Sequence, residues 1–140
     1  MALLFNRIGE ACEDAIAVQI ARIDLWKRRW RGVAANGEEV AVMLEDPAKN
    51  GDTLHGDERS IRIEQLEEEV VAITMPQDPE MAAKIAWYLG NRHIPVEVRT
   101  TELLVENFPT LTDSLERIGI PHIVRQDILN CRPHSEDHQH

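Results

Sequence analysis

Trp87–Val98, WYLGNRHIPVEV, is the stretch whose reading decides the fold. It reads as the last turn of an amphipathic helix, a stop at Gly90, a corner of Asn91, Arg92 and His93, and a strand that opens after Pro95 with Val96 and Val98 on alternate positions. Upstream, Asp78-Pro79-Glu80 gives the helix a side-chain acceptor, a proline at its first position and an acid in its first turn, and Met81, Ile85 and Leu89 then recur every four residues. An imidazole is thereby delivered to an exposed helix-to-strand junction.

Working outward, Val70–Ile73 is a continuous apolar strand, and Leu103-Leu104-Val105 follows Thr100-Thr101 as a hairpin partner of the strand after Pro95. A second helix is expected from about Phe108 to Ile118, with Asn107 as its cap, Leu111, Leu115 and Ile118 on one face and Gly119 as terminator; Ile120–Ile128 supplies the last strand. The order strand, helix, strand, strand, helix, strand is the split βαβ arrangement of ferredoxin-like domains. From Leu129 the apolar content fades, and CRPHSEDHQH reads as a disordered tail.

The first half has a different texture. Ile16, Val18 and Ile20 alternate with Ala17, Gln19 and Ala21 as in a half-buried strand. Val33–Ala35, Asn36-Gly37 and Val40–Leu44 read as a hairpin with a type I′ turn, and Ile61, Ile63 and Gln65 share one face of a later strand. The sequence therefore predicts an α+β chain: a small all-β domain over residues 1–74, a ferredoxin-like βαββαβ domain over 75–129 whose first strand begins at about residue 69, and a short His-containing tail over 130–140.

Composition narrows the function classes. The chain has 140 residues and a net charge of −10, from 15 Lys plus Arg against 25 Asp plus Glu, which opposes nucleic acid or an anionic membrane as the main partner. The apolar runs are too short for a span of roughly 20 residues, and Met1–Phe5 lacks the basic start and cleavage pattern of a secretory signal, so a cytoplasmic location is expected. Cys12 and Cys131 lie near opposite ends and form no CxxC pair, which argues for reduced thiols. Trp26-Lys27-Arg28-Arg29-Trp30-Arg31 interleaves aromatics with bases. It reads as an edge strand or loop with packed tryptophans, and alternatively as the contact surface of an RNA-binding or protein-interaction module.

Motifs for catalysis are missing: there is no HExxH, Walker A, GxSxG or GxGxxG sequence, and Asn91-Arg92, a pair suited to acyl phosphate hydrolysis, has no Gly-rich anion cradle. Metal binding has more support, because imidazole is the commonest metal ligand and His93, His134, His138 and His140 stand at the corner and in the tail. His55, in a polar turn, and His122, on the last strand, read as ordinary hydrogen-bonded residues.

AWYLGNRHIPVEV, the upstream NGEEVAVMLEDP with Asn50-Gly51-Asp52 and Leu54, the strand start Glu68-Glu69-Val70-Val71 and the His-bearing tail together resemble the UreE-type urease accessory proteins, from about Arg22 onward. The resemblance implies a β domain that binds partner peptides, a ferredoxin-like domain that dimerises, and a nickel metallochaperone. Such a protein carries Ni²⁺ to apo-urease together with other accessory proteins, including a GTPase. By position, His93 corresponds to the family's principal metal ligand, which meets its symmetry mate in the homodimer. The region Glu106-Asn107-Phe108-Pro109 lacks the further histidine pair of some relatives. Imidazole ligands alone would also accept Cu²⁺ or Zn²⁺ in vitro, so nickel rests on the resemblance.

Overall fold

The computed structural model describes residues 2–133. The chain divides into two compact units, Met1–Leu66 and a second that begins at Glu67.

The first unit is a six-stranded sheet of β1 (Leu3–Gly9), β2 (Ile16–Ile20), β3 (Arg29–Val33), β4 (Glu39–Met43), β5 (Thr53–Gly56) and β6 (Ser60–Gln65), in the order β2-β6-β5-β1-β4-β3. β1 runs parallel to β4 and β2 parallel to β6, and an isolated bridge from Val18 to Ala34 ties β2 to the chain just beyond β3, curling the sheet over its core. Period-two patterning does the work expected of it. Ile61 and Ile63 are each 1% exposed and Val18 is fully buried, and burying a side chain of this size contributes about 1.5–3 kcal/mol.

Several details differ from the sequence reading. The unit is not built of strands alone, because Arg22–Leu25 forms one helical turn, α1, anchored by the buried Leu25 and by Asp24 and Leu25 amides that donate to the Ala21 carbonyl. The hairpin exists, but its first strand ends at Val33 and its turn is not type I′. Gly37 N–H donates to Ala34 O (2.9 Å) and Ala34 N–H to Glu38 O (2.8 Å), and only Gly37, at φ 88°, is left-handed. A three-residue loop of a turn followed by one left-handed residue needs no positive φ at Asn36, whose side chain instead accepts from the Glu38 amide. His55 lies in β5 rather than in a turn. Its Nδ1 pairs with Ser60 Oγ (2.7 Å), its Nε2 with the Glu10 carbonyl (2.9 Å), and a Cβ on Gly9 would come within 2.5 Å of its ring.

The second unit comprises β7 (Glu68–Thr74), α2 (Pro79–Asn91), β8 (Glu97–Val98), β9 (Glu102–Glu106), α3 (Leu111–Arg117) and β10 (His122–Asp127). Its sheet is antiparallel throughout, in the order β10-β7-β9-β8. Val71, Ile73, Leu103 and Val105 pack with Ile85, Leu89, Leu111 and Leu115 of the helices, while Val70, Ala72 and Leu104 form a separate apolar group with Leu129. β7 reads as a continuous apolar run because both of its faces are covered.

Here too the structure corrects the boundaries. α3 starts at Leu111 rather than near Phe108, because Phe108-Pro109 is taken up by a turn in which Leu111 N–H donates to Phe108 O (3.1 Å). Asn107 is not its cap; Asn107 Nδ2 donates to the Glu69 carboxylate instead. α2 does not stop at Gly90 but runs through Asn91. Nor does the ordered chain fade at Leu129. That side chain is fully buried, Asn130 N–H donates to Glu97 Oε1 (2.6 Å), and Cys131 packs against the same apolar group. An apolar sheet face must be covered, and Leu129 covers it.

Candidate metal centre

The site is built from α2 forward. Asp78 Oδ1 accepts from the Glu80 amide (3.1 Å), satisfying one of the orphan donors at the helix start, and Ile85 and Leu89 bury one face of the helix. At the far end, Ile94 N–H donates to Leu89 O (3.0 Å) and His93 N–H to Gly90 O (2.9 Å). This pair of bonds is a Schellman motif with Arg92 as the cap residue, and the Ile94–Leu89 contact in the core is its usual hydrophobic accompaniment.

The motif requires one left-handed residue, and that residue is His93 at φ 58°, the only non-glycine with positive φ among the described residues. Histidine tolerates this region better than most side chains, yet the conformation still costs about 1–2 kcal/mol. Pro95 fixes the backbone immediately beyond. The corner is also tied sideways: Arg92 Nη1 donates to Tyr88 Oη (2.6 Å), its guanidinium lies 5.4 Å from the Tyr88 ring centre, and it reaches Ser114 Oγ of α3 at 3.4 Å. The His93 side chain itself is exposed and makes no hydrogen bond with the other described residues. Trp87, six residues earlier on α2, is 69% exposed.

Of the other predicted ligands, His134, His138 and His140 lie outside the described residues. Among the described residues no group of three or more His, Cys, Asp or Glu side chains converges, so one protomer's described part offers His93 as a single donor. His122 Nδ1 is committed to the Ile120 carbonyl (2.8 Å). The Trp26–Arg31 segment is partly an edge strand, as read; Trp30 is 7% exposed and Trp26 43%, so the two indoles do not present a stacking platform together.

Sequence reasoning missed a charged cluster on the sheet face away from the helices. Arg99 Nε lies 2.7 Å from Glu97 Oε2 and its Nη1 3.2 Å from Asp127 Oδ2; Arg125 Nη1 donates to Glu102 (2.9 Å) and Nη2 to Asp127 (2.9 Å). The hydrogen bond from Arg125 holds the Glu102 carboxyl below the usual range. Burial alone would raise Asp127, but Arg125, the Ile128 amide and Arg99 together bring it down. The apolar pair Ile128-Leu129 after Asp127 was the available signal that this face receives a covering segment.

Residues 68–140 match the family model described as "UreE urease accessory protein, C-terminal domain". That places the second unit among accessory proteins, which are chaperones and not enzymes. Curated relatives named "Urease accessory protein UreE", from Staphylococcus aureus strains Newman, JH1 and COL, are each 34% identical over 112 residues, covering 79% of this chain and 74% of the relative. The chain belongs to the UreE family of urease accessory proteins. No helix of the described chain is long and apolar enough to cross a membrane.

Proposed function

We propose that the chain is a cytoplasmic nickel metallochaperone, a homodimer that binds Ni²⁺ between two protomers and carries it to apo-urease in company with other accessory proteins, a GTPase among them. The observation that carries this reading is His93: an exposed, unbonded imidazole at a backbone-defined corner of a UreE-family chain. A single donor is not a tight site. A two-fold axis beside it makes it two, since an isologous contact brings a residue near the axis close to its own copy. The exposed Trp87 on the same helix supplies the kind of aromatic surface that interface centres favour. Tail histidines His134, His138 and His140, or water, complete the shell. Such a shared, open site suits a carrier, whereas a closed four-ligand site would retain its ion. In this reading the first unit receives partner peptides, and the second is the ferredoxin-like dimerisation module.

The test is titration calorimetry with Ni²⁺ on the wild-type, His93→Ala and His122→Ala proteins. His93→Ala abolishes the tight site of one ion per dimer and leaves the dimer intact; His122→Ala has little effect. Undiminished binding of one ion per dimer by His93→Ala would place the site elsewhere.

A further inference from the structure

Side chains alternate across a strand, so Phe5, Trp30, Val40 and Val42, which are turned into the core of the first unit, leave the alternate residues of β1, β3 and β4 on its outer face. Register sets their places. Arg31, Ala41 and Leu4 stand in one row across β3, β4 and β1, with Arg29 opposite Met43 on one side of that row and Val33 opposite Glu39 on the other. Ala41 is the smallest side chain of its row, so the face is a trough with Ala41 as floor and Leu4 and Arg31 as walls two interstrand spacings, about 9.5 Å, apart. Leu4, Val33 and Met43 are between 45% and 59% exposed.

The charge on this face runs against that of the chain. β1, β3 and β4 carry three arginines, Arg7, Arg29 and Arg31, and a single acid, Glu39, in a protein whose net charge is −10. Other cations of the unit are neutralised where they stand: Lys27 pairs with Asp24, Arg59 with Glu38 and Arg62 with Glu64. Among the described residues Arg29 and Arg31 have no ion pair and no side-chain hydrogen bond. Glu39 lines the same hollow as Arg31 without pairing with it, and beyond Leu4 the border turns acidic with Asp57 and Glu58.

We infer that this outer face docks an extended acidic segment of a partner protein, one in which carboxylate and apolar side chains alternate. A segment laid along the trough sends successive side chains to opposite sides, and its residues i and i+2 are about 6.8 Å apart, the same spacing that separates Arg29 and Arg31 along β3. Carboxylates at those two positions meet the two guanidinia, and the apolar residues between them fall on Leu4 and Met43. Asp57 and Glu58 repel the reversed orientation. A single-stranded nucleic acid fits less well, because no aromatic ring of β1, β3 or β4 is exposed to stack a base. This docking rests on the reading above that the first unit receives partner peptides, and adds the face and the chemistry of the peptide.

Fluorescence anisotropy tests it on the full chain with chelator present, using labelled octapeptides that alternate glutamate with valine, that hold the same residues in two blocks, or that alternate lysine with valine. The alternating acidic peptide should bind more tightly than the block peptide and lose about tenfold in Arg29→Glu/Arg31→Glu, while the lysine peptide gains about tenfold on that variant. Lys49→Glu/Lys84→Glu makes the same change in net charge away from the face and should move neither affinity. Both arginines are exposed and unpaired, so the double variant should keep its melting temperature; Arg29→Gln/Arg31→Gln, with a smaller loss of about threefold, serves if it does not.

Undiminished binding after the reversal, an equal loss in the Lys49→Glu/Lys84→Glu control, or no binding of the alternating peptide overturns the proposal. So does an oligouridylate octamer that binds as tightly and is lost in the same variant, which assigns the face to nucleic acid, or a changed sedimenting mass of the variant, which assigns it to a second copy. The general reading is tested apart from this by panning a random octapeptide library on the same chain. Selected sequences without alternating acids overturn the acidic chemistry alone, whereas no selection at all removes the peptide role.

Discussion

Helices α2 and α3 end in the same hydrogen-bonded form and differ in the residue at its hinge. At α3, Ile120 N–H donates to Leu115 O (2.9 Å) and Gly119 N–H to Glu116 O (3.1 Å), the same pattern that Ile94 and His93 make at α2. The left-handed position is Gly119 at φ 77° in one and His93 at φ 58° in the other. Glycine takes that conformation without steric cost, and histidine does not. Where a chain solves one geometric problem twice, once with the stable residue and once with a strained one, the strained copy marks the place where a side chain is needed for something other than the fold. In the proposed reading the α3 end serves stability and the α2 end presents an imidazole.

Core truncation should affect the two ends alike in stability and differently in function. Leu89→Ala and Leu115→Ala each remove a fully buried anchor and are expected to cost about 2–5 kcal/mol in denaturant unfolding. Only Leu89→Ala should also weaken nickel binding; equal affinities in the two variants would mean that corner rigidity does not hold the imidazole. Next in size is Gly119→Ala. A Cβ there meets nothing within 4 Å, so the expected loss of about 1–2 kcal/mol is purely backbone, and a gain in stability would contradict the left-handed assignment. His93→Gly should do the reverse, raising stability by about 1 kcal/mol while losing the tight nickel site.

Gly90→Ala is smaller again. Gly90 sits inside α2 with an ordinary φ and open space around it, so alanine should stabilise the isolated fold by about 0.5–1 kcal/mol in a thermal melt. A loss would show that the glycine meets something the protomer alone does not contain, as a second copy at the two-fold axis would be.

Acidification should give the most graded effect. Glu102 and Asp127 have folded values depressed from 4.5 and 3.8, so their contribution is complete above those values and disappears as pH falls below about 4. The melting temperature should drop between pH 5 and pH 3, with a shallower slope in Arg125→Gln; identical slopes would remove the ion cluster from the account.

What could be read in the sequence was what local rules decide. Asp78-Pro79-Glu80 marks the start of α2 because its acceptor lies two residues from the amide it serves, and Ile61, Ile63 and Gln65 mark a strand face by alternation alone. The end of α2 was misplaced because Gly90 looks like a stop, whereas the stop is made by the packing of Ile94 on Leu89, which lets His93 take the left-handed position. β1 was missed because Asn6 and Arg7 interrupt its apolar run and a register shift between Phe5 and Arg7 breaks its alternation. The exposed imidazole at residue 93 was legible; its backbone strain was not. The burial of Leu129 was invisible for another reason: its partners Val70, Ala72 and Leu104 are remote in sequence.

Because β1 lies between β4 and β5, and β2 pairs with β6, the sheet of the first unit cannot close until Gln65 has been made. Leu3, Phe5 and Ile8 are synthesised long before Val40, Val42 and Leu54, the residues that pair with them or share their core. At about 5–20 residues per second, the leading strand spends about 2–10 seconds without neighbours as the chain emerges from the ribosome. During that interval its apolar residues are open to aggregation or to capture by a holding chaperone, so in a slow-translation background this protein's yield should depend on the first unit more than on the second.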